Sequence, residues 1–323
     1  MNRFLAAPTA AIGGAVLAIA TAGLIGTAPA QAQPTPAGPD KATATDLAAH
    51  PKLSLPAPDP AKWGAPRQGS DVIAMTVRPD GIRTVTYYTP MRGESGATLY
   101  RLLKSRGVQG LQAPAAASAT SSGSASPALA AAGITSCRYG TAQLYLCATD
   151  SNVAHQVHWT NGCCTDPQIW FVDHTSSAWP VSASTTVWNQ TPGIDSHYVY
   201  GSCPNYSGQH CIDITNANYG CTGWEGLTSV SYNTTTYNIV SASTKFNDYQ
   251  GLCTVNGVTY DYFKDSNGYR KATCHELGHA LGMGHNSSST TSCLYEPNVN
   301  DSRLLQPNND DFTLLSQLYS VAY

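Results

Sequence analysis

The chain has 323 residues, of which only 11% are Asp, Glu, Lys or Arg, against about a quarter in an average globular protein. Its 17 basic and 20 acidic residues include no run of Lys or Arg that would neutralise consecutive phosphates. These properties exclude a charged solenoid, a coiled coil and a nucleic-acid binder, so no nucleic acid is expected as a partner.

The first 32 residues have the pattern of an export signal. Arg3 gives a short positive start, residues 11–27 are apolar, and the A-P-A-Q-A sequence ending at Ala32 offers small residues for cleavage. An uncleaved anchor is the alternative, but the Ala-x-Ala ending favours removal. We therefore expect a signal peptide at 1–32 and a secreted, extracellular protein without stable membrane association after its removal.

A tract rich in Ala, Ser, Gly and Pro, residues 113–133, divides the rest of the chain. The region before it, counted with the tract as 33–133, has a net charge of +4 and no cysteine, whereas residues 134–323 have a net charge of −8 and all ten cysteines. The tract has the composition of a flexible, cleavable linker. This layout predicts a pro-segment at 33–112 that acts as a partner of its own catalytic domain at 134–323; a disordered spacer is the alternative.

Within the pro-segment, two strand-like runs at 72–77 and 82–88 flank the turn signal R-P-D-G at 78–81, which predicts a β-hairpin. Residues 97–106 follow with the apolar spacing of a helix. The pro-segment is therefore expected to contain a small inhibitory or folding-assisting module.

The ten cysteines are an even number in a chain expected to be exported, which predicts five disulfides rather than a thiolate metal site. Their short spacing favours a bond between Cys203 and Cys211. Cys163 and Cys164 are adjacent, and we expect them to bond to different partners because a ring between neighbouring residues is strained.

Residues 134–323 have strand patterns in their first part and helical patterns near their end. Runs of Val, Ile, Tyr and Thr predict strands, among them 211–215 and 238–246. Residues 267–281 and 309–319 have helical spacing, and the second helix begins with an Asn cap and acidic residues. Strands first and helices last imply an α+β fold.

The residues most informative about chemistry form the pattern H-E-x-x-H-x-x-G-x-x-H from His275 to His285. His275 and His279 are one helical turn apart, so both imidazoles can reach one Zn²⁺. Gly282 allows a left-handed turn after the helix, which brings His285 back to the same ion. Three protein ligands leave a fourth position for water.

Glu276 follows a predicted ligand but points about 100° around the helix from it, which suits a base that contacts the bound water rather than the metal. Zn²⁺ with three neutral imidazoles acidifies a bound water, and Glu276 can take its proton and deliver it to a leaving amine. This chemistry is peptide-bond hydrolysis.

On this motif the chain resembles the metzincin zinc endopeptidases, and among them the matrixins. Weaker similarity lies in residues 183–194, 223–230 and 310–319. The resemblance implies a disulfide-rich, metzincin-like catalytic domain of two subdomains, with a mixed β-sheet over a zinc-binding helix. It also implies one catalytic Zn²⁺, a cleft below the edge strand of the sheet, and protein or peptide substrates.

Two departures from the family pattern concern the turn below the metal and the means of latency. The stretch 292–297 contains no methionine, so either Leu294 or Cys293 takes the place of the family's Met. The second alternative places Tyr295 near the metal, where a tyrosine contacts the reaction centre in some metzincins. Residues 33–133 lack the cysteine that often keeps matrixins latent, so any latency must use another group.

Cys274 directly precedes His275 but points about 100° around the helix from it, towards the loop expected beneath. We therefore predict a disulfide between Cys274 and Cys293, which would tie the zinc helix to the turn that lacks its Met.

Two further candidate sites are weaker. His155 and His158 lie near Cys163 and Cys164, but an i, i+3 pair in a polar region is more often solvated than a metal site. Asn247–Asp248 and residues 308–311 offer oxygens for Ca²⁺, although caps and turns explain them better.

The sequence thus predicts a secreted, monomeric, zinc-dependent endopeptidase, made as a proenzyme, in which Glu276 assists the attack of a zinc-bound water on internal peptide bonds. The alternative from another class is a non-catalytic secreted binding module whose zinc is structural. A zinc exopeptidase or amidase is a third possibility.

Overall fold

The computed structural model describes residues 52–57, 60–66, 72–113, 136–141, 143–150, 153–255, 257–287, 291–295 and 305–320. All of them fall within one structural unit, residues 39–323. The predicted signal peptide, and the predicted linker beyond its first residue, lie outside the described residues. In the part of the chain that the structure describes, no helix combines the length and the apolar character that crossing a bilayer requires.

The described residues form strands and helices throughout. The strands are β1 Trp63–Pro66, β2 Val72–Val77, β3 Ile82–Pro90, β4 Ser136–Tyr139, β5 Gln143–Asp150, β6 Val153–Gln156, β7 Gln168–Asp173, β8 Asp195–Tyr200, β9 Gln209–Ala217, β10 Trp224–Asn233, β11 Ile239–Asn247, β12 Leu252–Val255, β13 Val258–Asp261 and β14 Met283–Asn286. The helices are α1 Gly96–Ser105, α2 Val181–Trp188, α3 Ser266–Ala280 and α4 Asn309–Tyr319.

The largest sheet has seven strands in the order β2-β3-β10-β11-β9-β7-β8. Strands β8, β7, β9 and β11 are parallel to one another, whereas β10 is antiparallel to both of its neighbours, β11 and β3. The predicted strands 211–215 and 238–246 lie within β9 and largely within β11, so both predictions are confirmed. This mixed sheet and the helices packed on it make the fold α+β, as predicted.

Helix α3, predicted at 267–281, packs against β10 and β11 of this sheet. It begins where the Asp265 side chain accepts a hydrogen bond from the Gly268 N–H (2.8 Å). Two buried tryptophans fix its position, because Trp188 Nε1 donates to the Cys274 carbonyl and Trp159 Nε1 donates to the Ala280 carbonyl, each at 3.0 Å. These bonds hold both ends of the helical segment that carries the histidine motif.

A second sheet, β1-β4-β5-β14 with β6 paired to β5, and the hairpin β12–β13 complete the strands of the described residues. Helix α4 begins at a capping box, in which the Asn308 side chain accepts hydrogen bonds from backbone N–H groups and the Asp311 carboxylate accepts one from the Asn308 N–H. Its predicted apolar face is buried, including Phe312 and Leu315. The predicted helix at 309–319 is therefore confirmed.

The predicted hairpin and helix of the pro-segment are present as β2, β3 and α1. They do not stand apart as a small module, because β3 pairs along β10 and extends the large sheet. The intervening turn uses Gly81 at φ +79°, a left-handed conformation that favours glycine. The boundary between pro-segment and catalytic domain remains a prediction.

All ten cysteines lie within the described residues and form five disulfides: Cys137–Cys147, Cys163–Cys164, Cys203–Cys211, Cys221–Cys253 and Cys274–Cys293. The predicted pairs Cys203–Cys211 and Cys274–Cys293 are confirmed, each with Cα atoms 6.0 Å apart. The expectation that Cys163 and Cys164 bond elsewhere is wrong. The other eight sulfurs are already paired with one another, so each of these two exposed neighbours has only the other as a partner.

Candidate metal centre and active site

Three histidines converge on one point below the large sheet. His275 and His279 lie one turn apart on α3, and His285 lies on β14. The Nε2 atom of His275 is 3.0 Å from that of His279 and 2.9 Å from that of His285. In the described part of the chain, these three are the group of His, Cys, Asp or Glu side chains close enough together to hold a metal ion.

The outer nitrogens of two of these rings fix which nitrogen faces the shared point. His275 Nδ1 donates to the Cys293 carbonyl (2.8 Å), and His279 Nδ1 donates to the Met283 carbonyl (2.9 Å). Since a carbonyl only accepts, each Nδ1 carries the proton and each Nε2 keeps its lone pair. Burial is the main cause that holds the pKa of His275 well below its ordinary value, and the neighbouring His279 and His285 lower this pKa further. The His275 ring is therefore neutral.

The chain returns from α3 to the shared point through Gly282, as the sequence predicted. Gly282 has φ +90°, a conformation that side chains rarely adopt, and a Cβ there would meet the Val157 carbonyl oxygen at 3.2 Å. Strand β14 follows at once and carries His285. A glycine at this position thus allows the sharp turn that brings the third histidine to the other two.

Glu276 is fully buried, and hydroxyl groups from two strands hold its carboxylate. Thr89 Oγ1 of β3 donates to Oε1 (2.5 Å), and Thr228 Oγ1 of β10 donates to Oε2 (2.7 Å). Gly226 of β10 makes room for this carboxylate, because a Cβ there would lie 2.5 Å from Oε1. The predicted base is thus fixed by β3 on one oxygen and by β10 on the other.

The turn without methionine is attached to α3 by two residues. Cys293 is bonded to Cys274, and its carbonyl is the acceptor for His275. Leu294 is fully buried, and its side chain packs so closely on α3 that a Cβ at Gly278 would lie 2.9 Å from it. Tyr295 forms a backbone bridge with Asn286 and is half-buried, and its predicted approach to the metal remains a prediction.

The whole cluster is closed to solvent. The exposed fractions are 3% for His275, 0% for Glu276, 0% for His279 and 3% for His285. On the β3 side, the Tyr87 ring stacks on the His279 ring with centroids 4.4 Å apart and planes 5° apart. In the described structure, β3 therefore lies directly against the histidines that could hold a metal.

The sequence did not identify Tyr87, Thr89 or Thr228 as site residues. Alternation along β3 places Val85, Tyr87 and Thr89 on one buried face, a period-two pattern that the sequence does contain. The pattern indicates a buried face but not the surface that covers it.

The weaker metal candidates have structural roles. The His155 ring stacks on Tyr237 with centroids 4.0 Å apart, and His158 Nδ1 bonds the Trp159 carbonyl. For the calcium candidates, Asn308 and Asp311 form the cap of α4, and Asn247 bonds backbone groups of the loop before β10. The contacts of Asn247, Asn308 and Asp311 are the caps and turns that the sequence favoured, whereas the expected solvation of the histidine pair is wrong for His158, which is only 6% exposed.

Residues 174–320 match the family model for matrixin. The match supports a matrixin-like metzincin catalytic domain in this region. The match begins just after β7, ends just after α4 and contains all three histidines and Glu276, so the domain is of the metallopeptidase type that uses zinc. No curated protein gives a significant match to the chain. Strands β2 and β3 and helix α1 lie outside the matrixin match, although β3 contacts its site.

Proposed function

We propose that this protein is a secreted, zinc-dependent endopeptidase, made as a proenzyme, which hydrolyses internal peptide bonds with Glu276 as the general base. The observation that carries this proposal is the convergence of three Nε2 atoms, from His275, His279 and His285, beside a buried glutamate. The matrixin match supports the same reaction class.

The histidine cluster fits a zinc ion. Zinc holds imidazole nitrogens at about 2.0–2.1 Å, so nitrogens sharing one tetrahedral ion are roughly 3.3 Å apart. The Nε2 separations of 3.0 and 2.9 Å are close to this value, and the Nδ1 bonds of His275 and His279 direct the Nε2 atoms of these two rings towards the shared point. His275, His279 and His285 would hold the ion, which when bound acidifies water and polarises a peptide carbonyl.

Side chains of the protein carry out the proton transfer. Glu276 accepts a proton from the attacking water at Oε1 and delivers it to the departing amine. Thr228 keeps the other oxygen of that carboxylate in place through its hydroxyl, and Thr244 supports Thr228 in turn (2.9 Å). Burial in a water-poor site strengthens each of these interactions.

The proposal also includes export, two subdomains and the partners of the peptidase. Five disulfides favour an exported protein, because such bonds persist in oxidising compartments. As part of this proposal, we assign the large sheet with α3 to the upper of the two expected subdomains and the chain from β14 to α4 to the lower. We expect a monomer whose partners are protein or peptide substrates and its own pro-segment, with Ca²⁺ as a further, weaker expectation.

A non-catalytic module with a structural zinc is the second candidate. A structural site needs a fourth protein ligand. Among the described residues, no fourth His, Cys, Asp or Glu joins the three histidines, and the nearby Glu276 is bonded to two threonines instead. This arrangement favours an open, catalytic position.

The test is the Glu276→Gln variant, compared with wild type in the full chain both before and after limited proteolysis of the predicted linker. The amide is nearly isosteric but accepts no proton, so we expect zinc content to be retained and hydrolysis of a denatured protein to fall about 10²–10⁴-fold. His285→Ala is the matched control that should lose metal and activity together. Mass spectrometry of the released peptides, with and without chelator, separates internal cleavage from exopeptidase action.

Near-wild-type turnover in Glu276→Gln would refute the assignment of the base. Zinc binding without any hydrolysis in the cut wild-type chain would favour the structural-zinc module.

A further inference from the structure

Strand β10 has an antiparallel neighbour on each side. On one side lies β11, and on the other lies β3, whose paired residues run from Trp224↔Pro90 to Asn233↔Ile82. Without β2 and β3, strand β10 would be the edge of the large sheet. An open edge strand is a template that an extended peptide can join by backbone hydrogen bonds.

The face of β3 that points towards α3 carries the two contacts to the site. Tyr87 covers His279, and the Thr89 hydroxyl donates to Oε1 of Glu276. Both residues are buried, at 0% and 4% exposure. A carboxylate oxygen that already accepts this bond in a closed site is shielded from an attacking water.

We propose that β3 keeps this peptidase latent by occupying the place of a substrate strand along β10, with Thr89 bonded to Glu276 and Tyr87 covering His279. This inference rests on the proposed function and identifies the group that replaces the missing pro-segment cysteine. The strand closes the site in two ways, since it fills the sheet edge and engages the base.

A single cut in the backbone after β3 would leave this strand attached by non-covalent contacts alone, so that it could dissociate. All five disulfides join residues from 137 to 293, so none of them holds β3. The segment around β3 is anchored instead by apolar packing of Leu99 and Leu103 of α1 with Trp224, and by Arg106, which donates to the Cys221 and Thr222 carbonyls. After cleavage in the predicted linker, these contacts would retain the segment together with the pairing of β3 with β10, the pairing of β1 with β4 and the ion pair between Lys52 and Asp195, none of which is covalent.

The test uses the full chain with zinc removed by EDTA and measures how fast diethyl pyrocarbonate modifies the site histidines. Peptide mapping follows His275 and His279, with the exposed His174 as an internal reference. In Thr89→Val, the loss of a hydrogen bond to a buried carboxylate should raise the opening of β3, and hence the modification rate, about tenfold. Hydrolysis by the uncut, zinc-loaded chain should rise by the same factor.

Thr86→Val is the matched control, because Thr86 bonds Ser229 (2.9 Å) on the outer face of the same strand pair. We expect this variant to stay within about twofold of wild type, since it loses only a partly exposed, neutral hydrogen bond. Thr89→Ser retains a hydroxyl and should restore the wild-type rates. Wild type after a linker cut and removal of the segment should show fast modification of both histidines whether or not the variants fold.

Equal modification rates in Thr89→Val and Thr86→Val, or equal rates in the uncut and the released wild-type chain, would overturn the latency role of β3. Failure of the released chain to hydrolyse any protein in the presence of zinc would overturn the peptidase function instead.

Discussion

The two strands that flank β10 contact it in similar ways but are attached to the domain differently. Both β3 and β11 pair with it in antiparallel fashion, and both supply a threonine to the hydroxyl groups around Glu276. Strand β11 follows β10 after a short turn, and the disulfide Cys221–Cys253 spans the β10–β11 hairpin. Strand β3 comes from far earlier in the chain, outside the matrixin match and outside every disulfide.

Hydrogen bonding alone therefore does not make a strand a permanent part of a sheet. A short turn and a disulfide reduce the conformational entropy that β11 would gain on leaving β10. A cut between β3 and β4, in contrast, removes the covalent link between β3 and the rest of the domain. We therefore expect β11 to behave as core and β3 as a removable cover.

The largest expected effect is on stability and comes from truncating a buried side chain in each of the two strands. Phe246 of β11 and Val85 of β3 are both fully buried. Phe246→Ala should lower the free energy of unfolding by about 3–5 kcal/mol and speed amide hydrogen exchange throughout β7, β9 and β11. Val85→Ala should speed exchange only in β2, β3 and the amides of β10 that face β3. Faster exchange in β7 and β9 of Val85→Ala would show that the strands form one cooperative unit.

A smaller effect separates the two hydroxyl groups on Glu276. In the chain released from its pro-segment, Thr228→Val should lower kcat about tenfold with little change in KM, because Oε2 loses the hydrogen bond that orients the base. Thr228→Ser should restore activity. Thr89→Val should have no effect in the released chain, since Thr89 has left with β3. A Thr228→Val defect that appears mainly in KM would argue against this positioning role.

The smallest effect is the pH dependence of the cover. Glu94, just after β3, accepts a hydrogen bond from the Tyr262 hydroxyl (2.9 Å). Burial raises the pKa of Glu94 from its ordinary value of 4.5 to about 7, against the opposing effects of Tyr262 and Arg106. When β3 opens and Glu94 enters water, its pKa falls, so the closed form binds more protons between these two values. Closure is therefore most stable at acid pH, weakens as pH rises towards 7, and is constant above that.

The measurement is the rate of histidine modification in the full chain between pH 5 and 7.5, corrected with the exposed His174. We expect wild type to open several-fold more at the upper end, and Glu94→Gln, which has no charge to bury, to lose this extra pH dependence. The same slope in both proteins would exclude Glu94 as its source.

Local patterns predicted much of the structure. The hairpin at 72–88 was readable from two strand-like runs around a turn, and α4 from its cap and apolar face. The positions of His275, His279 and His285 followed from helical spacing and a glycine turn, which are properties of neighbouring residues. The Cys274–Cys293 bond was predicted from the direction of one side chain on a helix.

The residues that could bind a metal were predictable from the sequence, because ligand spacing on a helix is a local property. Only the tertiary structure decided that β3 pairs with β10, that Thr89 and Thr228 share Glu276, and that Cys163 bonds Cys164. The alternation in β3 predicts a buried face but not the strand it pairs with, which depends on which sheet edge the rest of the fold leaves open. In the same way, the partner of Cys163 depends on which sulfur the other disulfides leave available. The pairing of β3 with β10 and the bond from Thr89 to Glu276 join residues more than a hundred positions apart, and no local spacing predicts them.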